Sequence, residues 1–309
     1  MTAVWIILAA LLAVVLLGTV LFLIACRRGP VPDLTKPEVI AKWGRAEQTE
    51  EILAGVRLMQ DAENIFLPSY DGLRLHGRLL QQPGAKGTIL LFHGYRSSWA
   101  IDFSIVLPYY FTLGYNLLAV DERAHGESEG TYITFGVRER HDVASWAAYA
   151  AMHFGPAHPL ILDGLSMGAA TVLLASDLEL PPSVRGIIAD CGFTSPYEIA
   201  KSVLHRDYPR LPVGLLLPIC GLFTRLYAGF GLHDASTLDA VRESRYPILF
   251  IHGTGDTFVP CEMTKEAYAA CTSEKELILV DSAEHGKSYL VEKGRVEEAL
   301  CRFLATHTE

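Results

Sequence analysis

From residue 62 onward the chain alternates between two textures. Short apolar runs rich in β-branched residues, "GTILLFHG", "YNLLAVDERAHG", "HPLILDGLS", "VRGIIADCG", "YPILFIHGTGD" and "KELILVDSAEHG", each end in polar residues and glycine. Helical stretches separate them, among them Val137 to Phe154 and Glu262 to Cys271. Near-continuous apolar strands alternating with helices predict a parallel sheet covered on both faces. Ahead of these runs, "NIFLPSYDGLRLHGRLLQ" reads as two strands around an Asp71-Gly72 turn. The expectation is an α/β domain over residues 61–309 with a mostly parallel, eight-stranded sheet and helices on both faces. Ligands of such sheets bind at the carboxyl ends of the strands, where each run turns polar.

Three segments break this rhythm. Residues 1–26, "MTAVWIILAALLAVVLLGTVLFLIAC", carry no charge and are followed at once by Arg27 and Arg28. At about 1.5 Å per residue the run is long enough to cross a hydrocarbon core of about 30 Å, and it reads as a transmembrane anchor. A cleaved signal peptide fits less well, since the apolar run is too long, has no basic start and lacks an A-x-A site. Leu23-Ile24-Ala25-Cys26 also resembles a lipoprotein cleavage box, again without the basic start. Residues 27–60 read as a linker with an amphipathic helix from Pro37 to Met59, placed against the domain or the bilayer. More than fifty residues separate "IIADC" from "YPILFIHG", including "RLPVGLLLPICGLFTRLYAGFGL". So long an apolar connection predicts a small helical lid at about 193–240 and a substrate with a hydrophobic portion; an ordinary crossover helix with a long loop is the alternative.

Composition narrows the function classes. The chain has 309 residues and a net charge of -9, which argues against a nucleic-acid partner. Beyond the anchor five cysteines remain, an odd number without a C-x-x-C pair, so neither a disulfide framework nor a metal site is expected. Arg27, Arg28, Lys36, Lys42 and Arg45 follow the apolar run and no basic residue precedes it. That bias places the domain on the cytoplasmic side, with the extracellular side as the alternative.

The candidate chemistry centres on "LILDGLSMGAATVLLAS". Ser166 lies where an apolar strand turns sharply into a helix, with Gly164 and Gly168 relieving the crowding two residues to either side. This G-x-S-x-G pattern is a nucleophile elbow. A serine nucleophile needs a base and an acid that orients it, arriving after the elbow in the order acid, then histidine. Among eleven histidines, His285 follows a strand end and is itself preceded by Asp256 at the end of the previous strand. Asp190 in "IIADCGF" competes with Asp256 for the orienting role. His125 precedes the elbow and reads as part of a turn with Asp121 and Arg123, while His93 and His252, each followed by glycine, read as loop-shaping residues. Oxyanion donors are expected from the N–H of Met167 and, after the third strand in "FHGYRSS", from the N–H of Tyr95, with Gly94 allowing close approach.

Taken as an ordered set, "LFHGYRSS", "DERAHGESEG", "DGLSMGAATVL", "GIIADCGFTS", "ILFIHGTGDTFVP" and "AEHGKSYL" resemble the α/β-hydrolase superfamily over about residues 62–306. The resemblance is greatest to the branch of monoacylglycerol-lipase-like esterases and serine-aminopeptidase-like hydrolases. It implies an α/β-hydrolase fold, a triad of Ser166, Asp256 and His285, and no cofactor. The expected activity is hydrolysis of a small-molecule acyl ester. An aminopeptidase, whose amine-binding carboxylate would be Glu122 or Glu198, and a thioesterase are alternatives, as is an inactive membrane scaffold.

Overall fold

The computed structural model describes residues 1–30, 36–42 and 46–308. At the N-terminus α1 (Thr2–Cys26) is one unbroken helix, followed by α2 (Pro37–Lys42) and α3 (Thr49–Leu58). Of the helix expected from Pro37 to Met59, residues 43–45 lie outside the described residues; the described part holds α2, a separate turn at Ala46–Gln48 and α3. They lie against the domain: Ile40 and Ile52 are buried with Ile101. Gly55 of α3 sits so near the Ser104 backbone that a Cβ there would come within 1.8 Å of its carbonyl oxygen. An apolar helix face with a glycine at its closest point docks backbone to backbone.

The strands are β1 (Glu63–Pro68), β2 (Arg74–Leu80), β3 (Gly87–Phe92), β4 (Tyr115–Asp121), β5 (Leu160–Leu165), β6 (Val184–Asp190), β7 (Ile248–Gly253) and β8 (Lys275–Val280). They form the expected eight-stranded sheet in the order β1-β2-β4-β3-β5-β6-β7-β8. Only β2 runs against the others. The turn between β1 and β2 falls at the predicted place, with Gly72 at φ 87° and Ser69 Oγ donating to Asp71 Oδ1 at 2.6 Å.

The remaining helices are α4 (Trp99–Asp102), α5 (Leu107–Thr112), α6 (Glu139–Phe154), α7 (Met167–Leu174), α8 (Pro196–Asp207), α9 (Val213–Ala228), α10 (Thr237–Glu243), α11 (Cys261–Ala270), α12 (Ser288–Val291) and α13 (Lys293–Thr308). They cover both faces, because side chains alternate along each strand. Leu90, Phe92, Leu118, Val120, Leu160 and Leu162 pack with Trp146 of α6 and Val172 of α7. Ile89, Leu91, Leu117, Ala119 and Ile161 point the other way, to Tyr110 of α5 and Leu300 and Phe303 of α13. A strand buried on both sides has no polar face to spare, so its polar residues gather at its end.

The long connection between β6 and β7 contains α8, α9 and α10. Ser195 caps α8 by accepting from the Glu198 N–H, Pro196 opens it, and Gly229 ends α9 in the left-handed region. Ile199 and Val203 of α8 pack with Met167, Tyr95 and Phe258 at the carboxyl edge of the sheet. The apolar content of α9 meets a demand besides the one expected of a lid. Its Val213, Leu217 and Phe223 form a cluster with Phe22 and Cys26 of α1.

Candidate active site

Ser166 stands between β5 and α7 at φ 57° and ψ -113°, a conformation that a side-chain-bearing residue adopts only under constraint. The constraint is visible in the flanking glycines. A Cβ at Gly164 would lie 2.3 Å from the Gly168 carbonyl oxygen, and one at Gly168 would lie 1.8 Å from that of Phe92. The turn is pinned by the Ser166 N–H donating to the Asp190 carbonyl at 2.8 Å. Its hydroxyl therefore projects at the carboxyl edge of the sheet, ahead of the first turn of α7.

There it meets His285. Ser166 Oγ lies 2.9 Å from His285 Nε2, and His285 Nδ1 lies 2.6 Å from Asp256 Oδ2. A carboxylate accepts, so Nδ1 carries the proton and Nε2 is left bare to accept from the serine hydroxyl. Asp256 is itself held by four donors. Its Oδ1 accepts the N–H groups of Phe258 and Val259 at 2.8 and 2.9 Å, and its Oδ2 accepts from His252 Nε2 at 3.1 Å as well as from His285. Burial alone would raise the Asp256 pKa; hydrogen bonds from His252 and His285 outweigh it and hold the group well below the usual carboxylate range. It is charged throughout the neutral range.

Asp190, the competing acid, makes no hydrogen bond to His285. Its Oδ1 lies 3.3 Å from Ser288 Oγ, and burial pushes its pKa up to about 6. The carboxylates expected to hold a substrate amine in an aminopeptidase are Glu122 and Glu198. Glu122 is buried and its pKa is driven well above normal by desolvation and by Glu139 and Asp142, while Glu198 is paired with Lys201.

The loop after β3 is held by His93, read from the sequence as loop-shaping, and by Asp102 and His125, whose bonds to this loop the sequence does not reveal. His93 Nδ1 donates to the Gly94 carbonyl at 2.8 Å, and the Gly94 N–H donates to Asp102 Oδ2 at 2.7 Å. His125 Nδ1 donates to the Arg123 carbonyl, leaving Nε2 to accept the Arg96 N–H at 2.9 Å. With the amides on either side engaged, the Tyr95 N–H between them takes no protein acceptor among the described residues. A Cβ at Gly94 would sit 3.3 Å from that of Ser166, so this loop passes directly beside the serine. Met167, first residue of α7, has an N–H with no intrahelical partner.

His252 is also more than a loop-shaping residue. Both groups facing its Nε2, the Asp256 carboxylate and the Val259 carbonyl, are acceptors, so that nitrogen is protonated and donates to the same Asp256 oxygen that His285 bonds. A signal for all four was present: His93, His125, His252 and His285 each precede a glycine at a chain turn. Which of the four meets the serine depends on topology, not on the dipeptide.

Comparison with known proteins agrees with this architecture. The family described as "Serine aminopeptidase, S33" matches residues 83–223. The protein YqkD of Bacillus subtilis is 28% identical over 238 residues, covering 77% of each chain. The α/β hydrolase domain-containing protein WAV2 of Arabidopsis thaliana is 26% identical over 67% of this chain and 66% of its own length. Among solved structures, the esterase Pf2001 of Pyrococcus furiosus superposes with a TM-score of 0.66 at 23% identity, over 82% of this chain and 95% of its own. The α/β hydrolase GrgF from Penicillium sp. sh18 gives 0.60 at 16%, over 80% and 99%. The shared fold is that of the α/β hydrolases.

Proposed function

We propose that this chain, a member of the α/β-hydrolase superfamily, is a serine hydrolase that cleaves carboxylic esters bearing a hydrophobic portion and is anchored to a membrane by α1. The observation that carries the reading is the continuous relay from Ser166 Oγ through His285 to Asp256, at 2.9 and 2.6 Å. Ser166 attacks the acyl carbonyl as His285 Nε2 takes its proton, and Asp256 stabilises the imidazolium that results. The N–H groups of Met167 and Tyr95 receive the negative oxygen of the tetrahedral intermediate; one such donor contributes about 2.7–4 kcal/mol in hydrolases of this type. His285 then protonates the departing alkoxide, leaving an acyl-serine. Water, deprotonated by the same nitrogen, releases the acid and restores the hydroxyl.

The esterase among the structural relatives supports an ester substrate. The family description names an aminopeptidase; against that reading, burial disfavours the charged form of Glu122, and Glu198 is paired with Lys201. Thioester cleavage uses the same groups. Anchoring is supported by the 25-residue, charge-free α1 and by Arg27 and Arg28 at its end, whose charge favours a cytoplasmic domain. Replacing Ser166 with Ala should leave the fold intact while abolishing turnover of p-nitrophenyl esters and labelling by a fluorophosphonate. Persistent labelling of the variant would refute the assignment.

A further inference from the structure

We infer that the outer face of α9 lies within the hydrocarbon of the bilayer beside α1, so that the domain is partly sunk in the membrane and not merely tethered above it. The inference rests on the anchor reading of α1 and not on the chemistry of Ser166.

The last turns of α1 do not stand clear of the domain. Gly18 faces the ring of Phe223 so closely that a Cβ would lie 2.2 Å from it. Thr19 Oγ1 and Tyr227 Oη are 2.9 Å apart, and Phe22 meets the rings of Tyr227 and Tyr132 edge-on at 5.1 and 4.8 Å. The other side of the same stretch stays open, with Val20, Leu23 and Ile24 exposed. The polar boundary on α1 falls where charge first meets it, at Arg27 and Arg28 and at the Arg96 guanidinium on the Ile24 carbonyl, because charged groups are costly in hydrocarbon. Thr19 then lies about 10 Å below the end of α1, at about 1.5 Å per residue. Whatever is bonded to Thr19 is at that depth, and Tyr227 of α9 is.

The outward surface of α9 fits that depth. Leu215, Pro218, Leu222 and Leu226 follow one another at spacings of three, four and four, one face of a helix, and all are exposed. A helix whose outer face met water would carry polar residues there. This face is continuous with the exposed apolar surface of α1 through the Tyr227–Phe22 contact. Cations lie at the ends of the two helices in sequence: Arg210 precedes α9, and Arg27 and Arg28 follow α1, residues suited to phosphate headgroups, while Arg206 is already paired with Asp207. The single charge on the outer part of α9, Arg225, is turned to Asp234, with Nη2 2.7 Å from Oδ1. The occupant is therefore a phospholipid bilayer. A second copy of the chain, which would cover the same leucines, is the rival.

The test uses the full chain, with Cys301, the exposed thiol, replaced by Ser. A nitrobenzoxadiazole probe is attached to Leu222→Cys, Val14→Cys or Met152→Cys, and each protein is placed in vesicles of phosphatidylcholine and phosphatidylglycerol. Quenching by doxyl groups on the acyl chains is expected at 14 and 222 and not at 152, with aqueous iodide giving the reverse. Doxyl quenching at 14 with iodide quenching at 222 would overturn the inference while leaving the anchor in place. Iodide quenching at both would remove the anchor reading and this inference with it. Protection of 222 from both quenchers, with self-quenching that disappears on dilution by unlabelled chain, would assign the face to a second copy and also overturn it. The Ser166→Ala variant should give the same pattern, because depth is read without turnover.

Discussion

The hydroxyl of Tyr95 donates a hydrogen bond of 2.8 Å to the carbonyl of Ala25, joining the loop beside Ser166 to the end of the apolar N-terminal helix. Arg96 adds to the link, its Nη2 lying 2.8 Å from the Ile24 carbonyl and 2.9 Å from that of Arg27. Helix ends leave their last carbonyls without intrahelical donors, and here two consecutive residues of the loop supply them. Burial pushes the Tyr95 phenol up to about 12, so it remains a donor at neutral pH. Tyr95→Phe keeps the backbone N–H proposed for the oxyanion and removes only this tie. A hydrogen bond of this kind contributes about 0.5–1.5 kcal/mol, so kcat on a p-nitrophenyl ester should fall by about two- to tenfold with KM little changed. Unchanged kcat with a lowered melting temperature would mean that the tie serves stability alone.

Asp190 ends β6 and Asp256 lies in the loop just after β7, at the same sheet edge, yet only Asp256 bonds His285. Asp256→Asn presents an amide to His285 Nδ1 and favours the wrong tautomer, and kcat should drop by about ten-thousandfold. Asp190→Asn should stay within about tenfold of the parent, since it loses no bond to the imidazole. Comparable losses in the two variants would contradict the assignment of the orienting acid.

The glycines divide according to what a methyl group would meet. At Gly168 it would strike the Phe92 carbonyl at 1.8 Å, and neither backbone can yield, so Gly168→Ala should lose about 3 kcal/mol or more, or fail to accumulate folded protein. At Gly294, near the start of α13, a Cβ has nothing within 4 Å. Gly294→Ala should gain about 0.4–1 kcal/mol by restricting the unfolded chain. Thermal unfolding of the two variants measures both.

Much of this was written in local patterns. Buried strands announce themselves as apolar runs, and the elbow needs Gly164 and Gly168 for reasons of contact that hold in any chain making that turn. The order of Asp256 and His285 followed from the order of strands. What could not be read were relationships between segments distant in sequence. His252 and Asp256 are four residues apart, but whether the imidazole faces the carboxylate depends on how the loop after β7 folds back. The leucines of α9 suggested a surface for substrate, and only the packing of Phe22 and Gly18 against Phe223 and Tyr227 showed a second demand on that helix. Apolar composition states that a residue avoids water; it does not state which partner takes the place of water.

His125 gives the most direct test of the loop beside Ser166. Burial, with a further contribution from His93, lowers its pKa to about 3, and the neutral ring accepts the Arg96 N–H. In the unfolded chain the imidazole titrates near its ordinary value of about 6.5. Between those two values the unfolded state takes up a proton that the folded state refuses. Stability must therefore fall as the pH drops through that window, by about 1.4 kcal/mol per pH unit from this group, and level off below it. Asp163 and Asp190, raised by burial to about 7 and about 6, act in the opposite sense, because the folded state binds their protons first. They are present equally in a His125→Gln variant, whose amide oxygen can still accept from Arg96 but does not titrate. Melting temperatures of the parent and variant, followed from about pH 7 to about pH 4, should diverge steadily, with the parent losing more on acidification. A constant difference across that range would mean that His125 is solvated or charged in the folded protein. In that case the Arg96 N–H has no fixed acceptor, and the orientation of the neighbouring Tyr95 amide loses its support.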